Sequence, residues 1–244
     1  MPVYNEAATL EEILRRVHAV PLDKEIIIVD NISTDGTREI LEGFIARGEA
    51  VWADDAASGS DAAAGVVMRI AFQKMNRGKG SSVRRALELA RGEWVIVQDA
   101  DLEYDPMDYL KLLALTVKKP KCQVVFGTRL VRGSATRQAQ PRTAFYYGRV
   151  GLSVCFRVLY GSPLSDVATC YKLMRRSLAQ SLNLKANGFD LDFEIAARLA
   201  RRGVRIHELP ISYVPRTVLE GKKIHALRDG LRAAWTLWKY RFVS

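Results

Sequence analysis

The order of apolar and polar positions predicts alternating strands and helices from the start of the chain. Apolar residues in 10–17 recur at helical spacing with charged residues between them, which predicts an amphipathic helix ending near Pro21. The apolar run at 25–30 is typical of a buried strand, and a cap-rich turn then precedes a second helix. This order predicts a parallel sheet with crossover helices.

The middle of the chain continues the same pattern. Further buried strands are predicted at 66–72, 94–98 and 123–127. Helices are predicted after the basic turn at 76–80 and near 107–118. The small, polar and aperiodic residues 48–65 predict a surface insertion. We therefore expect an α/β fold with a Rossmann-like, mostly parallel central sheet flanked by helices, in one domain spanning 1–222.

Residues 223–244 are predicted to form an amphipathic helical extension, with its helix at 224–240. One apolar stripe of this helix carries Ile224, Leu227, Leu231, Trp235 and Trp238. Arginines and lysines lie away from the stripe, which is typical of a helix on a membrane surface and equally of a core helix with a solvated basic face. The aromatic, arginine-rich segment 141–161 has the same two interpretations.

Charge and cysteine content narrow the partners. Lysine and arginine number 37 against 27 acidic residues, a formal charge of +10, which favours phosphates or anionic lipids. Nucleic acid is disfavoured because no known reader motif accompanies the charge. The three separated cysteines indicate neither a disulfide framework nor a zinc site, so we expect a reducing cytoplasm. No apolar run reaches the ~20 residues that span a bilayer, which predicts a soluble or peripheral protein.

Two motifs lie where ligands of parallel sheets bind, beyond the carboxyl ends of strands. Asp99 and Asp101 end the predicted strand at 94–98, and Glu103 continues the alternation. Clustered carboxylates suit Mg²⁺ or Mn²⁺, although the same spacing is common in an acidic turn that caps a helix. The second motif is the glycine-rich turn 76–80, in which Lys79 offers positive charge to a phosphate. A basic loop that is simply solvated has the same composition.

Taken in chain order, eight blocks resemble the family 2 glycosyltransferases of GT-A fold. The blocks are PVYNE, IIIVDNISTDGT, NRGKGSSVRRAL, QDADLEYDP, GTR, SDVATCYKLMRR, NGFDLDFEIAARLARRG and HELPISYVPRTVLEGKKI. The resemblance covers nearly the whole chain apart from 48–65 and is greatest to the dolichyl-phosphate and polyprenyl-phosphate hexose synthases. It implies a hexosyltransferase.

The resemblance also implies where a nucleotide sugar binds. By position, the nucleotide-contacting turn is matched by Pro2, Tyr4 and Glu6, and the base-recognising strand end by Val29, Asp30 and Asn31. The family usually has a second acid where Asn31 stands. An amide has a donor that a carboxylate lacks, so base recognition is expected to differ here.

Further residues match the family's metal and phosphate contacts. Asp99, Ala100 and Asp101 match the D-x-D motif that holds a divalent cation, with Glu103 as a further ligand. Arg129, Arg216 and Lys222 match basic residues that contact the donor diphosphate or the acceptor phosphate. Asp101, Arg129 and Arg216 are the implied catalytic residues, because their charges suit stabilisation of a departing diphosphate.

The implied reaction is an inverting transfer from GDP-mannose or UDP-glucose to a polyprenyl or dolichyl phosphate, on the cytoplasmic face of a membrane. An ionised phosphate needs no protein base, and Arg142, Arg149 or Arg157 would serve it. A hydroxyl acceptor in cell-envelope synthesis would need Asp190, Asp192 or Glu194 as base, although helix-dipole complementarity also explains these acids. A non-catalytic nucleotide-sugar or membrane-binding module stays open, as does a homo-oligomer.

Overall fold

The computed structural model describes residues 1–54, 67–130, 142–216 and 226–243. The strands are β1 (Pro2–Val3), β2 (Glu25–Asp30), β3 (Val51–Trp52), β4 (Val67–Phe72), β5 (Trp94–Val95), β6 (Val124–Thr128), β7 (Lys172–Arg175) and β8 (His207–Pro210). The helices are α1 (Leu10–Ala19), α2 (Thr37–Ala46), α3 (Lys79–Leu89), α4 (Asp108–Lys118), α5 (Ala144–Tyr160), α6 (Arg176–Ser181), α7 (Leu191–Arg201) and α8 (Ala226–Phe242).

The strands form two four-stranded sheets, in the orders β1-β2-β4-β3 and β5-β7-β6-β8. The first sheet is parallel throughout, and in the second β6 pairs parallel with β8 and antiparallel with β7. Helices lie between successive parallel strands, as in crossover connections. The predicted α/β fold with a mostly parallel sheet is confirmed.

Local pattern explains the first elements. The helix α1 buries its predicted stripe, from Leu10 to Val17, in the main core. Every residue of β2 after Glu25 is buried, as expected for a strand covered on both faces. The predicted strand at 94–98 is shorter in the structure, because only Trp94 and Val95 pair with β7.

The predicted insertion 48–65 is partly ordered into the sheet. Within it, β3 pairs with β4 at the edge of the first sheet, so its first residues are not simply a loop. Residues 55–65 lie outside the described ranges. The boundary at 222 also falls outside them, and α8 beyond it packs on α5 and α7 through Ala233, Leu237 and Tyr240.

The predicted apolar stripe of the last helix faces outward where the structure describes it. Leu231, Trp235 and Trp238 are 65%, 59% and 48% exposed, while the opposite side of α8 is buried. A core location for these three residues is therefore wrong. Ile224 and the side chain of Leu227 lie outside the described part. Within the described residues, no helix has the length and apolar character needed to cross a membrane.

Candidate active site

The turns after β1 and β2 meet at the carboxyl edge of the first sheet. The buried carboxylate of Asp30 accepts the N–H groups of Ile32 and Ser33, and the Ser33 hydroxyl accepts the Asn5 N–H at 2.9 Å. Val29 is likewise fully buried, whereas the Tyr4 ring is 38% exposed. Among these residues, Tyr4 presents a side chain to solvent, while Val29 and Asp30 shape the turns.

Asn31 links this edge to the basic turn at 76–80. Its Nδ2 donates to Asn76 Oδ1 at 2.8 Å, and its Oδ1 accepts the N–H of Arg77 at 3.1 Å. The side chain therefore both donates and accepts, which an ionised carboxylate cannot do. The amide that departs from the family pattern thus has partners within this chain.

The glycines of the basic turn make room for protein backbone. A Cβ on Gly78 would lie 2.5 Å from the Asn187 carbonyl oxygen, and one on Gly80 would lie 2.4 Å from that of Ala186. Gly78 also has φ +89°, a conformation that favours glycine. The turn is therefore packed against the loop before α7. In that loop, Gly188 and Asp190 follow Ala186 and Asn187 and precede the helix.

Lys79 and Lys172 alternate with Asp99 and Asp192 in one charged cluster. The Lys79 ammonium lies 2.8 Å from the Asp99 carboxylate and 3.5 Å from Asp192, which also contacts the fully buried Lys172 at 2.7 Å. Burial would raise the pKa of Asp192, but Lys172 and Lys79 outweigh it and hold that pKa below its ordinary value. Lys79 thus faces carboxylates. Sequence reasoning missed Lys172, which lies in the SDVATCYKLMRR block at the start of β7.

Arg216 joins three distant parts of the chain. Its guanidinium lies 3.1 Å from the Glu6 carboxylate and 3.2 Å from that of Asp101, and its backbone N–H donates to Glu103 at 2.9 Å. The side chains of Glu6, Asp101 and Arg216 are 13%, 18% and 17% exposed, so the group lines a partly open edge. The structure therefore brings together residues that the family blocks place more than 200 positions apart.

The donor set fits a divalent cation that shares its ligands with a substrate. Within the described ranges, no group of three or more histidine, cysteine, aspartate or glutamate residues is arranged to hold a metal alone. Asp99 is paired with Lys79 and Asp101 with Arg216, and both carboxylates are partly exposed. Mg²⁺ and related ions commonly use one or two carboxylates plus substrate phosphates, so these two carboxylates suit such a site.

Arg129 is buried in a bidentate ion pair rather than exposed to a phosphate. Its Nε and Nη2 lie 2.7 and 2.8 Å from the two oxygens of Asp166, and Nη1 donates to the Tyr104 hydroxyl. The guanidinium of Arg149 lies 5.5 Å from the Tyr213 ring beside this pair, and its pKa is lowered by burial and by Arg129. Sequence reasoning missed Asp166, whose signal is its place in the SDVATC block.

Glu194 and Asp190 hold neighbouring segments in place. The fully buried Glu194 accepts the N–H groups of Lys185 and Ala186 and pairs with Arg198 at 2.7 Å. Asp190 pairs with Arg232 of α8 at 3.2 Å. Of the three acids proposed as bases, Asp192 alone therefore lies in the charged cluster with Asp99. Lys222 lies outside the described residues.

Comparison with known proteins places the chain in a family. Residues 1–182 match the family model "Glycosyl transferase family 2". The chain is 26% identical to Glycosyltransferase AglJ of Haloferax volcanii over 94% of its own length, and spans 66% of that protein. It is 27% identical to the Undecaprenyl-phosphate mannosyltransferase of Micrococcus luteus, covering 96% of this chain and 94% of the relative.

Solved structures show the same fold. Glucosyl-3-phosphoglycerate synthase of Mycobacterium tuberculosis aligns with all of this chain and 79% of its own, with TM-score 0.67 and 18% identity. A structure of that enzyme in complex with Mn²⁺, UDP and glucosyl-3-phosphoglycerate gives the same TM-score of 0.67. These neighbours share the GT-A fold. With its family model matched over most of its length, the chain belongs to glycosyl transferase family 2.

Proposed function

We propose that this protein is an inverting hexosyltransferase that moves a hexose from GDP-mannose or UDP-glucose to a polyprenyl or dolichyl phosphate at a membrane surface. The observation that carries the proposal is the meeting of Asp101, Arg216 and Glu6 at the carboxyl edge of the sheet. The relative named Undecaprenyl-phosphate mannosyltransferase supports the acceptor, because the two chains align over nearly their full lengths.

In this proposal the donor diphosphate lies beside Asp101 and Arg216. Asp101 would hold Mg²⁺ or Mn²⁺, which when bound would neutralise diphosphate charge, as the Mn²⁺ and UDP of a structural neighbour suggest. Arg216 donates from a partly exposed guanidinium and favours departure of the nucleoside diphosphate. Tyr4 and Asn31 lie at the adjacent strand ends, where the base would be recognised.

The state of the acids favours a phosphate acceptor over a hydroxyl. A general base works best with a pKa near neutrality, whereas Lys172 and Lys79 overcome the effect of burial and keep the pKa of Asp192 below its ordinary value. Glu194 is fully buried and bonded to backbone N–H groups. An acceptor phosphate with a second pKa of about 6 is already ionised at neutral pH, so it attacks without a protein base.

Membrane association is supported by an exposed apolar ridge. The ridge consists of Leu231, Trp235, Trp238 and Phe242 on α8, each at least 48% exposed, and the rings of Trp235, Trp238 and Phe242 contact one another in sequence. Tryptophan favours the membrane–water interface, and arginines and lysines on α8 would attract anionic lipid heads. We therefore propose a peripheral position on the cytoplasmic face, with the ridge against the bilayer.

The test is transfer of labelled hexose to undecaprenyl phosphate, with GDP-mannose and UDP-glucose each assayed with Mg²⁺ and with Mn²⁺. We expect one donor to yield a lipid-linked hexose, and Asp101→Asn to lower the rate by at least about 100-fold through loss of diphosphate stabilisation. Asp105→Asn is the matched control, because the Asp105 carboxylate accepts only the nearby Met107 N–H among the described contacts. Absence of transfer with every donor and metal would overturn the proposal.

A further inference from the structure

The carboxylate of Asp99 is in direct contact with a cationic side chain of the same protein. The ammonium of Lys79 lies 2.8 Å from Oδ1 of Asp99 and 2.9 Å from Oδ2, so it contacts both oxygens at once. A divalent cation bound to this carboxylate would need the same oxygens, because Mg²⁺ and Mn²⁺ coordinate carboxylate oxygens directly. The ammonium and such a cation would therefore compete for one position.

A second carboxylate lies within reach of the same ammonium. Oδ2 of Asp192 is 3.5 Å from the Lys79 nitrogen, which is long for a hydrogen bond but within the range of an ion pair. The ring of Phe189, whose centroid is 5.8 Å from that nitrogen, adds a further attraction for a cation. Lys79 is thus shared unequally, with Asp99 as its near partner and Asp192 as its far partner.

Lys172 holds Asp192 in this place. The fully buried ammonium of Lys172 lies 2.7 Å from Oδ1 of Asp192 and also donates to the carbonyl oxygen of Thr169. Because Lys172 contacts Oδ1, the other oxygen of the carboxylate is the one that lies toward Lys79. The two lysines and two aspartates therefore form a row in which positive and negative charges alternate and balance.

Backbone contacts fix the positions from which these side chains extend. Lys79 begins α3, and the glycines on either side of it lie against the backbone of the loop at 186–188. The Thr9 hydroxyl donates to the carbonyl oxygen of Ala100, the residue after Asp99, at 2.9 Å. The four-carbon stem of lysine is flexible. The ammonium can therefore pass from one carboxylate to the other by side-chain rotation alone.

We propose that Lys79 is a counter-cation of Asp99 which a divalent cation displaces, and that Asp192 receives the displaced ammonium. Lys172 is a positioning residue in this exchange, because it fixes the carboxylate that receives Lys79. The exchange rests on the proposed function in one respect, that Asp99 joins Asp101 in binding Mg²⁺ or Mn²⁺. It makes the affinity for the cation lower than a bare carboxylate would give, because an ion pair must be broken first.

The test measures Mn²⁺ binding in the absence of any sugar donor, with free Mn²⁺ followed by electron paramagnetic resonance. Lys79→Met removes the competing charge, so we expect it to bind Mn²⁺ at least about tenfold more tightly than the original chain. Lys111→Met is the matched control, because Lys111 also pairs with an aspartate, Asp108 of α4, and its loss changes the net charge equally. Since the Lys111 side chain is 42% exposed and screened by salt, this control should change the Mn²⁺ affinity less than about twofold.

A double variant tests the carboxylate that receives the ammonium. Lys172→Met with Asp192→Asn removes the second partner of Lys79 without leaving either charge of the buried pair alone. We expect this variant to bind Mn²⁺ about threefold or more weakly, since the displaced ammonium then lacks a carboxylate. The triple variant that adds Lys79→Met should bind Mn²⁺ as tightly as Lys79→Met alone, because both effects act through the same ammonium.

Equal or weaker Mn²⁺ binding by Lys79→Met would overturn the exchange, and so would a double variant whose weakening persists after Lys79 is removed. An Mn²⁺ affinity that Asp99→Asn leaves unchanged would also overturn it, since Asp99 would then not be a ligand. If Lys79→Met does not fold, as judged by circular dichroism, Lys79→Gln takes its place with the same expectation. Because the readout is Mn²⁺ binding, tighter binding supports the exchange even where no hexose transfer, the test of the proposed function, is found.

Discussion

Replacing Asp166 with asparagine should cost several kilocalories per mole of stability, because it leaves the Arg129 guanidinium charged and buried. Arg129 is 5% exposed and Asp166 is fully buried, and the two make a bidentate pair. Removing one partner of a buried pair costs about 3–5 kcal/mol. In a chain of this size that loss corresponds to a Tm decrease of roughly 6–20 °C.

The pH dependence provides a second measurement. Burial would raise the pKa of Asp166, but Arg129 outweighs it and keeps the pKa below its ordinary value in the folded protein. Such a carboxylate adds stability above its unfolded pKa of about 3.9, and the contribution disappears as the pH falls through the folded pKa. The difference in the free energy of unfolding between the original chain and Asp166→Asn should therefore become smaller below about pH 4.

Urea unfolding followed by circular dichroism measures both effects. The double variant Arg129→Met with Asp166→Leu is the control, since apolar replacement of a whole buried pair is often neutral or stabilising. It should recover most of the stability lost in the single variant. A loss below about 1 kcal/mol for Asp166→Asn, with an unchanged pH dependence, would refute the assignment of this pair as a buried structural element.

Two other predictions follow from exposure and close contact. The double variant Trp235→Ser, Trp238→Ser should reduce the affinity for anionic vesicles, measured by co-sedimentation, about tenfold or more. The control Val117→Ser, at a residue of α4 that is 80% exposed, should leave vesicle binding unchanged. If the double variant binds vesicles as well as the original chain does, the ridge is not the membrane-binding surface. Gly80→Ala should lower stability by about 1–3 kcal/mol in thermal unfolding, because its Cβ would lie 2.4 Å from a carbonyl oxygen. Gly151→Ala, in open space on α5, should be neutral or stabilising, and equal losses would contradict the packing argument.

The amino-acid sequence was sufficient for the order of elements and for the edge of the sheet that carries the chemistry. Helical spacing located α1, and the continuous apolar run located β2. The acids at 99–101 follow a predicted strand, so their place at a carboxyl end was expected before any tertiary contact was known. The blocks of the family resemblance also located Arg216.

The partners of these residues were decided by tertiary structure. By position, Arg129 matched a residue that contacts a phosphate. In the structure its guanidinium instead donates hydrogen bonds to the carboxylate of Asp166, 37 residues away. Asp192 was proposed as a base, yet Lys172 and Lys79 pair with it from a strand and from another helix. The role of a charge depends on which opposite charge is near and how much water is excluded.

The glycines show the same division. The glycine-rich turn at 76–80 was expected to serve a phosphate, and the structure shows that backbone of the loop at 186–188 lies against its glycines. Periodicity and turn chemistry are local, so the sequence by itself determined the elements and their order. Ion pairing and burial join segments distant in sequence, and only the packed tertiary structure decided them.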